Sequence, residues 1–269
     1  MSEGDAVASA PSAGDTGPGS AGNITLVRVR QVGFGAPLAW LGRGWKDMWR
    51  QPGSSLFYGV AIAVTGAVIL GVTAGFPYLF AAAITGFLLV APMLAAGLYE
   101  LSRRYLAGEP ATLVDSMLAW RRNPSGLVGF ALLSILAGTA WQVASVVIVA
   151  LFYKGSAMAP MAMMIEVVVN PQHYLLFFIY VCAGGFLAAL VFAVSVVSMP
   201  MLVDRQCDLL TALTASINAV AENPLPLALW AMILMVLTGL GFATALLGLI
   251  LFLPWLGHAS FHAYRDLVE

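Results

Sequence analysis

His258, His262, Arg265 and Asp266 are the residues whose types and spacing come closest to chemistry. Offsets of four, seven and eight place them on one stripe of a helix. Two imidazoles one turn apart can ligate a metal or a haem iron through neutral ring nitrogens. Only three histidines are present, and the third, His173, falls on the opposite membrane side in the topology derived below. A closed site would therefore need a carboxylate such as Asp204 or Asp208. His258 and His262 are weak metal candidates on this count, and no cofactor is expected. The stripe reads better as polar residues anchoring a helix end at the interface. Asp204-Arg205 is expected to form an ion pair with Arg265 and Asp266, which is a latch rather than a catalytic group. The sequence has no Gly-rich phosphate loop, no Ser/His/acid set at interpretable spacing and no HExxH. No catalytic residue is assigned, and the protein is not expected to be an enzyme.

The elements that must position this stripe are membrane spans. Of 269 residues, 61% are hydrophobic and 9% charged, against ~25% charged in a soluble domain. Residues 51–99, 123–153, 167–203 and 223–264 carry no Asp, Glu, Lys or Arg. A crossing takes ~20 apolar residues, so the longer runs hold two. The fold class is all-α, a polytopic transmembrane bundle of six spans at about 54–74, 78–98, 126–150, 174–198, 225–246 and 249–267. Gly75-Phe76-Pro77 breaks the first run. The last run is either one tilted helix or a hairpin breaking near Leu247-Gly248. Residues 1–23, rich in Gly, Ala, Ser and Pro, read as a disordered tail without the basic and apolar regions of a signal peptide, expected to stay in the cytoplasm. Residues 24–269 form the membrane domain. With the N-terminus inside, 11 of the 12 basic residues fall on the cytoplasmic side and Lys154 alone outside, as the positive-inside bias requires. Both termini are then cytoplasmic. A net charge of −1 gives no field for nucleic acid. Cys182 and Cys207 are not expected to pair.

The chain repeats itself. Gln51-Pro52, Asn123-Pro124 and Asn223-Pro224 each end a polar, partly amphipathic stretch and begin an apolar run. Asn suits an N-cap and Pro the first helical turn. Each unit carries a second proline, Pro92, Pro200 and Pro254, read as lying late in its second helix. This predicts three hairpins related by an internal repeat, each entered through an interfacial segment. In the first of these, Leu38, Leu41, Trp45, Met48 and Trp49 share one side, with Arg43, Lys46, Asp47 and Arg50 elsewhere, a pattern suited to an anionic membrane surface. Gly71 with Gly75, Ala82 with Gly86, Gly184 with Ala188 and Gly185 with Ala189 are expected to seat helix on helix. Polar residues at membrane depth, including Thr65, Thr85, Ser134, Gln142, Ser195 and Thr244, are expected to bond backbone carbonyls or neighbouring helices.

The run Pro200-Met201-Leu202-Val203-Asp204-Arg205, the step Asn223-Pro224 and the closing run from Gly257-His258 to Leu267-Val268 resemble a bacterial integral membrane family, domain of unknown function 2189. The resemblance reaches back less sharply to Gly44-Trp45. It implies an inner-membrane address and no particular activity. Relatives sometimes labelled as cytochrome oxidase components imply a respiratory association, but three histidines cannot furnish the six ligands of a haem-copper core.

The expected function is that of a non-catalytic inner-membrane accessory, assembly or envelope factor acting through helix packing. Its partners would be membrane lipids, other membrane proteins or further copies of itself, and not nucleic acid. One alternative is a transporter or lipid-translocating protein, which a buried polar cavity would favour. The other is a haem- or metal-binding membrane protein using His258 and His262.

Overall fold

Each of the three proline steps begins a long apolar helix. A computed structural model of the protein describes residues 27–75, 80–153 and 160–269, with backbone alone at 74–75, 80–93 and 160–164. The tail at 1–23, Phe76-Pro77, Lys154 and the side chains of Ala82, Thr85, Gly86 and Pro92 lie outside the described residues. The helices are α1 (Ala36–Arg50), α2 (Pro52–Gly75), α3 (Phe80–Ala107), α4 (Leu113–Met117), α5 (Pro124–Phe152), α6 (Pro160–Val169), α7 (Tyr174–Ser195), α8 (Ser198–Asp204), α9 (Leu209–Glu222), α10 (Pro224–Ala243) and α11 (Leu249–Leu267). The described residues form no strand; a single bridge joins Val29 to Val268. Pro52, Pro124 and Pro224 are the first residues of α2, α5 and α10, where a missing N–H costs no helical bond.

Four helices or helix runs are long and apolar enough to cross a membrane: Pro52–Thr73, Pro124–Phe152, Pro171–Asp204 and Pro224–Ala243. Their side chains face outward. Leu136, Val143, Val146 and Leu151 of α5 and Phe178 and Phe186 of α7 are all more than half exposed. Water would not tolerate so large an apolar surface, whereas hydrocarbon is its natural solvent. The last apolar run is two helices. It breaks at Thr244–Gly248, where Ala245 (φ 51°) and Leu246 (φ 72°) adopt left-handed backbone. Thr244 ties the turn, its hydroxyl donating to Gly241 O (2.9 Å) and accepting from Gly248 N (2.8 Å).

The buried core lies at one end, in a head built from α1, α4, α8, α9, the second halves of α3 and α11, and the first turns of α2, α5 and α10. Trp40, Trp230, Phe261, Tyr264, Met201 and Leu202 are among its fully buried large side chains, and Trp40 meets Trp230 edge-on at 5.7 Å. Where water is the alternative, such burial is worth about 1.5–3 kcal/mol per large side chain. Between lipid-bathed helices that gain is missing and packing must serve. The break between α7 and α8 is repaired from α9. The Ser216 hydroxyl donates to Ala193 O (2.7 Å) and accepts from Val197 N (3.1 Å), satisfying groups that the interrupted helix leaves open.

Several expectations change. In α1 the inward stripe is Pro37, Trp40, Gly44, Asp47 and Met48, so Asp47 points into the core. Leu38, Trp45 and Trp49 form the exposed face; Trp45 rests on Trp49 and Trp255, and the Trp255 indole donates to Leu41 O at 2.8 Å. Pro254 stands near the start of α11, not late in it, whereas Pro200, in α8, does lie late in the apolar run Pro171–Asp204. Among the described small residues of the expected pairs, close approach is limited. Gly184 seats the Trp141 ring, but a Cβ on Gly71 or Gly185 would meet nothing within 4 Å. Close approach falls instead to Gly44, whose Cβ would lie 2.5 Å from Ala259 N, to Gly59 against the Ile250 backbone, and to Gly97 against Tyr58. Thr65, Ser134, Ser195 and Thr244 do bond carbonyls of their own helices, whereas Gln142 Nε2 is buried without a partner. A short helix, α6, also stands between the third and fourth expected spans.

Candidate functional site

The two candidate histidines are both buried in the head, and each goes to a different partner. His262 Nε2 lies 2.7 Å from Asp47 Oδ2. His258 lies between two serines, with Nδ1 2.7 Å from Ser102 Oγ and Nε2 2.9 Å from Ser55 Oγ. Ser102 Oγ in turn reaches Asp47 Oδ2 at 3.2 Å. Five side chains from α1, α2, α3 and α11 thus form one continuous chain, Ser55–His258–Ser102–Asp47–His262. None is more than 4% exposed.

Counting protons assigns the directions. An ionised Asp47 only accepts, so Ser102 donates its single hydroxyl proton to it. His258 must then donate to Ser102 from Nδ1, which leaves Nε2 to accept from Ser55. His262 donates from Nε2 to Asp47. The arrangement resembles a nucleophile–base–acid relay with a serine inserted, yet Ser55 is fully buried and no cavity among those described opens on it. What the chain does physically is give these five buried side chains hydrogen-bond partners across four helix interfaces. Both ring nitrogens of His258 are engaged by hydroxyls, and among the described residues no three His, Cys, Asp or Glu stand where they could hold a metal. His173 lies at the far ends of α5 and α7, beside Tyr153 and Glu166.

Three more networks brace the head. Glu100, buried at 2% exposure, receives Arg103 Nε and Nη2 at 2.8 and 2.9 Å and Arg104 Nε at 2.8 Å, with Arg122 at 3.7 Å. Burial works against its ionisation, but the hydrogen bonds and charges of these arginines outweigh it and hold the carboxyl below its usual range. Arg103 is correspondingly pushed up by Glu100. The expected Asp204 latch forms in part. Arg265 Nη1 meets Asp204 Oδ2 at 3.0 Å, and Tyr264 Oη donates to the same oxygen at 2.8 Å while accepting from Arg205 Nε at 2.9 Å. Asp266 takes no part in it, being held by Trp40 Nε1 at 2.8 Å and by both terminal nitrogens of Arg43.

The amides before the prolines divide their duties. Asn123 Oδ1 caps α5 through Gly126 N at 3.1 Å, while its Nδ2 donates to Cys207 O at 2.8 Å. Asn223 does not cap α10 with its side chain. Its Oδ1 accepts from Val32 N at 2.8 Å and its Nδ2 donates to Arg30 O at 3.0 Å, because the segment at 27–32 lies against it. That segment also joins the C-terminal residues, with Arg30 N donating to Leu267 O at 2.8 Å and Arg30 Nε to Glu269 at 3.0 Å.

The buried charges, the outward apolar helices and the dense head describe an integral membrane protein, and the comparison with known families agrees. Residues 79–204 match the family model described as predicted integral membrane protein, DUF2189. The match is to DUF2189. It runs from α3 to the end of α8, so it contains Glu100, Ser102 and Asp204 and leaves Asp47, Ser55, His258 and His262 outside. Of the residues that carry the resemblance in the sequence, Pro200–Asp204 fall within it, while Asn223-Pro224 and the closing run do not. No curated protein and no solved structure matches the chain.

Proposed function

We propose that this DUF2189-containing chain is a six-span bacterial inner-membrane protein with both termini in the cytoplasm, acting without catalysis as an accessory, assembly or envelope factor. The spans are α2, α3, α5, α7, α10 and α11, taken as three hairpins of one repeat. Each is led in by a short helical segment: α1, then α4 with the 3-10 turn at Ala119–Arg122, then α9. The bridge between Val29 and Val268 favours an even number of crossings, since it requires both segments on one side. The exposed apolar residues of the lead-in segments, among them Trp45, Trp49, Val114, Trp120 and Leu210, suit a ring of contacts at the membrane surface.

One observation carries the non-catalytic reading. The groups that could do chemistry, Ser55, His258, Ser102, Asp47 and His262, spend their hydrogen bonds on one another across helix interfaces, away from any described cavity. A transporter would be favoured by a buried polar cavity; the cavity of about 300 Å³ beside the head has an apolar lining, and Glu166, Gln172 and His173 line a larger one, about 490 Å³, only at the far ends of α5 and α7. The test is purification of the full chain in mild detergent with mass spectrometry of what accompanies it. A membrane protein present in fixed proportion is the expected result; a bound solute and no protein partner would contradict it. A Soret band or bound metal in the same sample would favour the haem or metal alternative.

A further inference from the structure

Between the spans, just beyond the head, lies a cavity of about 300 Å³ that none of the polar networks uses. It is lined by Tyr99 of α3, Phe130 of α5, Phe192 of α7, Met199 of α8, Leu234 of α10 and Ser260 of α11, with Trp230 beneath. A groove of about 170 Å³ continues from it between α5 and α7, sharing Phe130, Ser134, Val191 and Ser195 and running on past Leu133, Leu187 and Leu190. The lining hydroxyls are turned away. Ser134 donates to Phe130 O, Ser195 to Phe192 O and Ser260 to Leu256 O. A site for water or an ion needs two to four free polar partners, which these serines do not supply. Two lining residues differ: Tyr99, whose hydroxyl bonds to no other described residue, and Trp230, whose buried indole Nε1 has no hydrogen-bond partner.

The shape and the chemistry describe an occupant that is long, narrow and apolar, with one hydrogen-bond acceptor near the head. We propose that the cavity and the α5–α7 groove hold one acyl chain of a membrane phospholipid, its ester carbonyl accepting a hydrogen bond from Tyr99. The ester layer of a bilayer lies at the edge of the hydrocarbon, which is where Tyr99 stands if α3 crosses at about 78–98. The lipid acts as part of the bundle, filling space between hairpins whose largest buried core lies at the head. This rests on the reading of the protein as a lipid-contacting membrane factor and adds to it a specific, stoichiometric lipid.

Native mass spectrometry of the full chain, released from its membrane in mild detergent, tests the site. One phospholipid per chain is expected on the unaltered protein. Ala95→Phe and Ser195→Phe, which fill the cavity, are expected to lower its occupancy at least tenfold, and Tyr99→Phe to lower it several-fold. Val147→Phe on the outward face of α5 leaves it unchanged. Should the filling variants fail to fold, the unaltered protein in bilayer discs decides, using a phosphatidylcholine with a diazirine at the end of one acyl chain. Labelling of Leu133 or Leu187 is expected. Labelling confined to outward residues such as Val147, a free fatty acid in place of phospholipid, or an unaltered protein free of lipid overturns the site. Any of those results leaves the accessory role standing, because protein partners are scored separately in the same preparation.

Discussion

Asp47 Oδ2 takes hydrogen bonds from both His262 and Ser102, so removing that carboxylate strands two donors in a buried place. Asp47→Ala is expected to destabilise the head by about 2–6 kcal/mol, since each of the two buried donors left without an acceptor costs about 1–3 kcal/mol, read as a lowered thermal midpoint in mild detergent. Asp47→Asn keeps one acceptor and is expected to lose roughly half as much. Glu100 supplies a pH dependence. Its folded-state carboxyl lies below its usual range, so its contribution is complete above the unfolded value near ~4.3 and is lost as pH falls through the lower folded value. Stability measured against pH should therefore fall on acidification, and Glu100→Gln should flatten that fall while lowering stability at neutral pH. The histidines were legible at this scale because four residues separate them on a helix. Their partners were not. Asp47 stands among Arg43, Lys46 and Arg50 and reads as one more solvated charge, and the contact joining it to His262 spans 215 residues.

Local signals for the helices were strong, but what each helix end touches depends on tertiary structure. The Asn-Pro and Gln-Pro steps mark the starts of α2, α5 and α10 because Pro tolerates a first turn that has no N–H to give. The same signal did not show that Asn223 would serve residues 30–32 instead of its own helix. Asn223→Ala is expected to cost about 1–3 kcal/mol, leaving buried groups unsatisfied, and to abolish amide-exchange protection at Val32 while leaving α10 protected. The turn between α10 and α11 gives the opposite sign. Ala245 holds a left-handed conformation that glycine adopts freely. Ala245→Gly should therefore stabilise the protein by about 0.5–1 kcal/mol, measured as a raised thermal midpoint. Glycine usage was misleading because small residues at helical spacing are abundant; Gly44 and Gly59 matter because α11 crosses there, and spacing along one helix says nothing about the position of another.

At the scale of the molecule, composition alone revealed the membrane, since uncharged runs of this length can satisfy their backbone only as helices in lipid. The head was not visible in it. Its core draws on residues from Val27 to Val268, and its charged side chains are spent on one another across the chain. The last apolar run is two helices, and both ends of the described chain meet through Val29 and Val268. The central claim is a charged head on the cytoplasmic face, closed over a six-span bundle by that meeting of the two ends. Reporter fusions placed before residue 24 and after Glu269 test it most directly. The account predicts that both report a cytoplasmic location; a periplasmic location for either fusion would contradict it.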